Sequence, residues 1–311
     1  MNLLSFVLMM TSLVFVSSAQ AQSIPENCHY RNFTGRFQDL LHTVAIVDDD
    51  DRRTERKYAE ENGMTLEQVK KKFAATGQIK CGRMIATAQV TYKNNVITTA
   101  GHLFTGNKTC DFASKPTDCT FTTQVDGKAF VSKIKEMVGT GHNCPDLPKP
   151  NDDWAVLKLE VPAPDAVEPY ALPEAQMKEN EDVIQVAASS VDFYYLNSKT
   201  GKRGYPKHLG NCKTKKVYIH QGKPIYFSSN CDTSDGASGG GILRNKSGRF
   251  EMLGMTVNND ESEEQVAKAT RGKVPNPNRG AYSEGKWAVY NVPVEGGFKA
   301  AIKRAGDFED L

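Results

Sequence analysis

The sequence predicts an all-β protein with a helical or irregular N-terminal extension and a short C-terminal helix. Three observations carry this. Beyond Gly77, short runs rich in Val, Ile, Thr and Phe alternate with turn clusters, and regular strands roughly ten to fifteen residues apart mark a sandwich or barrel. Helical periodicity in that region is confined to about Gly297–Arg304. The stretch VPAPDAVEPYALPEA, Val161 to Ala175, holds four prolines and no period, and reads as a connector between two β units.

In chain order, residues 1–21 read as a secretory signal. Leu3 to Val16 is an apolar core, and Ala19-Gln20-Ala21 is a small-x-small cleavage site. The first Lys or Arg is Arg31, so only the α-amino group charges the leading end. The apolar run is short for a membrane span. An extracellular or periplasmic location follows, without stable membrane insertion.

Residues 22–77 form the extension. Asp48 to Asp51 are consecutive carboxylates, followed at once by Arg52-Arg53. Met64, Leu66, Val69 and Phe73 recur near helical spacing, which predicts one amphipathic helix. The extension is either a solvated surface segment or a propeptide with the acidic-to-basic junction as its processing site.

The candidate strands are Met84–Tyr92, Val96–Ala100, Thr120–Gln124, Ala129–Met137, Ala155–Leu159, Val183–Ala187, Lys215–His220, Pro224–Phe227, Gly240–Leu243, Met252–Val257 and Trp287–Asn291. They fall into two units, 78–165 and 166–311, the second ending in the helix.

A net charge of +2 lacks the footprint of a nucleic-acid binder. The seven cysteines, Cys28, Cys81, Cys110, Cys119, Cys144, Cys212 and Cys231, include no C-x2-C pair, and the histidines are scattered. Zinc spacing is therefore absent, and disulfides are the expected use in an exported chain. Cys212–Cys231 is the favoured bridge, because it pins the strand before the most unusual loop of the chain. A loop of that size stabilises by roughly 3 kcal/mol in the chain-entropy account. The odd count leaves at least one thiol free or bridged between chains.

That loop is CDTSDGASGGG, Cys231 to Gly241. Small residues crowd Ser238, as in a linker, a phosphate-cradling loop or a turn that exposes a nucleophile. GASGG fits G-x-S-x-G, but an α/β-hydrolase elbow needs its histidine after the serine. All six histidines, His29, His42, His102, His142, His208 and His220, precede Ser238. A phosphate loop needs a Lys-Ser/Thr that is absent here. A linker is a poor fit between a cysteine and the apolar Ile242-Leu243.

A nucleophilic serine needs a base and a group to orient it. TTAGH, Thr98 to His102, sets a histidine where a strand gives way to a loop. DWAVLKL opens with Asp153 on one face with Ala155, Leu157 and Leu159; Asp152 falls on the other. A buried carboxylate must be partnered, and a histidine N–H suits.

TTAGH, DWAVLKL and DGASGGG, in that order, resemble the motifs of the trypsin/chymotrypsin-like serine proteases. CGRMIA, Cys81 to Ala86, resembles the strand before the family's histidine. The resemblance spans about residues 78–304, and the DTS-x-G-x-SG form is similar to bacterial branches near the glutamyl endopeptidases. It implies two six-stranded antiparallel β-barrels with the active site between them, His102 and Asp153 on the first and Ser238 on the second. It implies a serine endopeptidase working through an acyl-enzyme, with His102 as base, Asp153 orienting it, and the N–H groups of Gly236 and Ser238 as oxyanion hole. Peptide or protein is the implied substrate. No cofactor or metal is required, and a monomer suffices.

The match departs in places. No I-V-G-G-like start is present, so activation by a new N-terminus is in doubt. Leu103 follows His102 where a cysteine is common, so a bridge from Cys81 would reach Cys110 or Cys119. Gly241 stands where a proline is common. Asp232, six before Ser238, occupies the offset at which an Asp selects Lys or Arg; its alternative role is to cap the loop. With Thr233 it is a candidate substrate contact. GMTVNN, Gly254 to Asn259, lacks the histidine of the glutamyl branch. Thr256, Val257 and Asn258 are expected to line the pocket and pair with an extended peptide. The rival readings are a protease-fold binding protein without turnover and an esterase using the same triad.

Overall fold

The structure, a computed structural model, describes residues 44–82, 84–104, 115–141, 152–190, 193–196, 198, 203–259, 278–284 and 287–307. The signal segment and Cys28, Cys110 and Cys144 lie outside them. The chain is mostly β, with two closed six-stranded barrels and three helices among the described residues.

The extension from residue 44 onward packs against the barrels. It contains strands β1 (Val44–Val47) and β2 (Arg52–Thr54) and helices α1 (Glu55–Glu61) and α2 (Leu66–Lys72). Two helices stand where one was expected. The chain breaks at Asn62-Gly63, where Gly63 takes φ +63°, and Thr65 restarts it. Its hydroxyl accepts from Gln68 N while the Gln68 side chain accepts from Thr65 N. Such a capping box is worth about 1 kcal/mol.

Val69 and Phe73 of that segment are buried, and Phe73 stacks on Phe250, centroids 4.9 Å apart. Fully burying one such side chain contributes roughly 2 kcal/mol. Arg52, at the supposed processing junction, is 7 % exposed, and β2 pairs with a strand of the second barrel through Arg53↔Leu209. A segment so engaged is a poor protease target.

The first barrel closes in the order β3-β4-β5-β8-β7-β6, from β3 (Thr76–Cys81), β4 (Met84–Val90), β5 (Val96–Thr99), β6 (Cys119–Val125), β7 (Lys128–Thr140) and β8 (Ala155–Leu159). Ile79, Ile97, Phe121 and Leu157 fill it. A disulfide joins Cys81 to Cys119 across the paired β3 and β6.

The second barrel begins at β9 (Asp182–Ala187). The short pair β10 (Tyr195–Leu196) and β11 (Arg203–Gly204) follows, then the long hairpin β12 (His208–His220) and β13 (Lys223–Ser229). After β14 (Thr233–Ser234) come β15 (Gly241–Lys246), β16 (Arg249–Asn259), β17 (Asn278–Gly280) and β18 (Val289–Pro293). The ring runs β13-β18-β16-β15-β9-β12 and closes by the β12–β13 pairing, with β2 added on β12. A disulfide joins Cys212 to Cys231.

The last helix, α3 (Gly296–Asp307), returns to the first barrel. Phe298, Ala301, Ile302 and Ala305 form its buried face, and Phe298 stacks on Trp154, centroids 5.1 Å apart. No described helix is long and apolar enough to cross a membrane.

Candidate active site

His102 sits where β5 ends. Val96–Thr99 is fully buried, Ala100 continues extended, and Gly101–Leu103 makes a single 3-10 turn. Gly101 allows that turn to close on Asp153: a Cβ there would lie 3.1 Å from the Trp154 backbone and 3.3 Å from Asp153 Oδ1. Asp153 precedes β8, which pairs with β5 through Thr99↔Ala155. The two residues therefore meet at the same end of neighbouring strands.

The meeting is bidentate. His102 N donates to Asp153 Oδ1 at 2.7 Å, and His102 Nδ1 lies 2.6 Å from Asp153 Oδ2. A carboxylate so placed fixes the tautomer that carries its proton on Nδ1 and leaves Nε2 as acceptor. Asp153 is buried, whereas the His102 side chain is 34 % exposed. Burial works against the charged imidazole, but the charge and hydrogen bond of Asp153, with the more distant Asp235, overcome it and raise the His102 pKa above 6.5.

Ser238 lies in a loop whose peptides are held from both sides. Ala237 N donates to Ser234 O, Gly239 N to Thr256 O and Gly240 N to Ala237 O. The carbonyls of Gly236, Ser238 and Gly239 accept from Thr87 Oγ1, Thr87 N and Gln89 Nε2. The N–H groups of Gly236 and Ser238 donate to no acceptor among the described residues. Gly236 and Gly239 take φ +86° and +84°, a region that favours glycine. A Cβ at Gly236 would meet Ser189 O at 2.1 Å, and one at Gly239 would meet Thr87 O at 2.1 Å and Thr99 Oγ1 at 2.8 Å.

The Ser238 loop thus docks on β4 beside Thr99, three residues before His102. The described residues show no hydrogen bond from Ser238 Oγ to the imidazole; such bonds often tighten only around substrate.

The candidate substrate contacts fare differently. Asp232 is 3 % exposed, and both its oxygens are taken, by Val47 N at 2.8 Å and Asp51 N at 2.6 Å. Burial pushes its pKa up to about 7 despite those two donors. These contacts suit the capping role and not the selection of a basic side chain, because the carboxylate faces the extension. Thr233 is buried and pairs with Ala45 of β1. The Thr256 hydroxyl accepts from Gln185 and donates to Asn291, and its backbone groups bond Gly239 and Gly240. Val257 sits at the irregularity where β16 slips against β18, and Asn258 is exposed.

The sequence reading passed over Thr87 and Gln89. Their signal was available as two fully buried polar side chains in the otherwise apolar strand MIATAQV, since a buried polar group has a partner to find.

The Trypsin family profile matches residues 63–272. No curated protein matches the sequence. Among solved structures, a Glu endopeptidase in complex with MPD is similar with a TM-score of 0.58 at 13 % identity, over 85 % of this chain and 100 % of that one. The protease Anisep from Arthrobacter nicotinovorans is similar with 0.51 at 10 % identity, over 76 % and 96 %. A thermostable serine protease, AL20, from an extremophilic microorganism gives 0.50 at 12 %, over 77 % and 100 %. These identities speak for the fold; the family profile, which takes in His102, Asp153 and Ser238, speaks for descent. The chain belongs to the trypsin family and is a serine endopeptidase.

Proposed function

We propose that the protein is a secreted endopeptidase that cleaves peptide bonds through His102, Asp153 and Ser238. The observation that carries this is the loop itself: all its amides from 237 to 240 are bonded inward except that of Ser238, which is left beside that of Gly236. Two unspent donors two residues apart, one of them on the serine itself, are what a tetrahedral oxyanion needs.

In this mechanism Nε2 of His102 takes the Ser238 proton as Oγ attacks the scissile carbonyl. The oxyanion rests on the two free N–H groups. His102 then passes the proton to the leaving amine, and an acyl-enzyme remains. Water repeats the sequence and frees the acid. Asp153 keeps its charge throughout and stabilises the imidazolium. The segment at Val257 and Asn258 is the one that would pair with an extended substrate. Export follows from the leading segment and fits the two disulfides.

Intact mass after treatment with a fluorophosphonate tests the reading. One adduct per chain, mapped to Ser238 and absent from Ser238→Ala, is expected. A wild-type chain that never labels would sink it in favour of a binding protein.

A further inference from the structure

The geometry points to Thr87 as a positioning residue that sets the oxyanion hole from the opposite barrel, an inference that rests on the proposed function. Thr87 is on β4 of the first barrel, is fully buried, and bonds to three segments at once. Its hydroxyl donates to Gly236 O at 3.0 Å and accepts from Ala188 N at 3.0 Å. Its backbone N donates to Ser238 O at 2.9 Å. Its carbonyl accepts from Thr99 Oγ1 at 2.8 Å, on the strand that leads to His102.

The planarity of the peptide makes these contacts directional. A carbonyl and the N–H across the same peptide bond point opposite ways. The 236–237 peptide is held at both ends, its O by the Thr87 hydroxyl and its N–H by Ser234 O. The 238–239 peptide is held likewise, by Thr87 N and Thr256 O. The intervening 237–238 peptide has its O tied to Gly240 N, so its N–H, that of Ser238, faces away from that tie. The Thr87 hydroxyl fixes the plane that follows Gly236. With Gly236 at φ +86°, rotation of that plane is the motion open to the loop. The Gly236 N–H lies on the preceding 235–236 peptide, joined to that plane at the Gly236 Cα, so releasing the plane loosens the joint and lets this N–H swing off the position of the developing charge.

Threonine is suited to this task. The hydroxyl donates and accepts at once, and branching at Cβ restricts χ1. Valine keeps the shape and loses both bonds, while the backbone bond to Ser238 O survives. Serine keeps both bonds.

The test separates the inactivation constant of a fluorophosphonate from its initial binding constant, because the phosphonyl oxygen enters the same hole only as the Ser238 bond forms. Thr87→Val is expected to lower the inactivation constant by about 10- to 100-fold, below the ~10²–10³ of losing a donor outright. Initial binding should stay near wild type and the melting temperature should fall, because Ala188 N and Gly236 O lose their partner, while Thr87→Ser should restore both the melting temperature and, to within about threefold, the rate. Should Thr87→Val not fold, Thr87→Ala carries the same comparison. An inactivation constant unchanged in a folded Thr87→Val or Thr87→Ala chain overturns the inference, as does a loss confined to binding. A wild-type chain that does not label overturns the triad itself, and the role of Thr87 with it.

Discussion

At the scale of single residues, the pair His102–Asp153 makes a statement about pH. As the proposed base, the imidazole must be neutral to accept a proton, and its pKa is raised above 6.5. Activity should therefore climb with pH along an acid limb centred above that value. Asp153→Asn removes both the charge and the preferred tautomer, so kcat should fall by about 10⁴, with the residual acid limb moved to lower pH; rate profiles from pH 5 to 9 read both. The linkage to stability has the opposite sign. Folding favours protonated His102, so its contribution is full below pH 6.5 and is lost as pH rises through the raised pKa. The chain is thus most active where this residue stabilises it least.

At the scale of elements, the strap formed by β1 is what Asp232 holds. It lies antiparallel to β14 and parallel to β17, joining both to the entry of the Ser238 loop. Asp232→Asn keeps the volume but removes one acceptor, leaving Val47 N or Asp51 N unpaired. Denaturation at pH 5 should show a loss of about 1–3 kcal/mol. Raising the pH should narrow the gap, because the raised pKa of Asp232 makes its own contribution full below 3.8 and lost as pH rises through about 7. Preference for the residue before the cleaved bond should not change; a switch away from Lys or Arg would restore Asp232 to the pocket.

Elements of this kind also mark what sequence could reveal. Strands with alternating or continuously apolar residues, such as Ala155–Leu159, were legible to the residue, and His102, Asp153 and Ser238 stood out because their neighbours obey local rules of turn and strand. Short β1, β14 and β17 were not. Two to four residues carry no period, and each exists only because a partner more than a hundred residues away, or a long loop away, supplies its hydrogen bonds. Strand β3, Thr76–Cys81, was missed because TGQIKC alternates weakly. In the extension charges dominate the composition, while Val69 and Phe73, which decide its packing, are few, so its two short helices read as one.

For the whole molecule, the two barrels are coupled by more than the cleft between them. Polar contacts run from Tyr170 in the connector through Thr76 and Gln89 to Gly239. On another flank, α3 leaves the second barrel and covers the first, with Phe298 stacked on Trp154 beside Asp153. Phe298→Ala should destabilise by about 3–5 kcal/mol and, by loosening Trp154, reduce kcat more than KM. Thermal melts and steady-state kinetics on one preparation check both. Intact kinetics with a lowered melting temperature would show that Asp153 is held by its own strand alone.

The strap has a consequence in time. Residues 44–47 are made well before their neighbours, residues 233–234 and 278–280. Contacts so far apart in the chain form slowly, after the loops that separate them have closed. The first barrel has all its strands by Leu159 and can assemble during synthesis. The strap cannot, and it borders the loop that carries Ser238. Peptidase activity should accordingly be the last property to appear as the chain matures, trailing the burial of the first barrel's core.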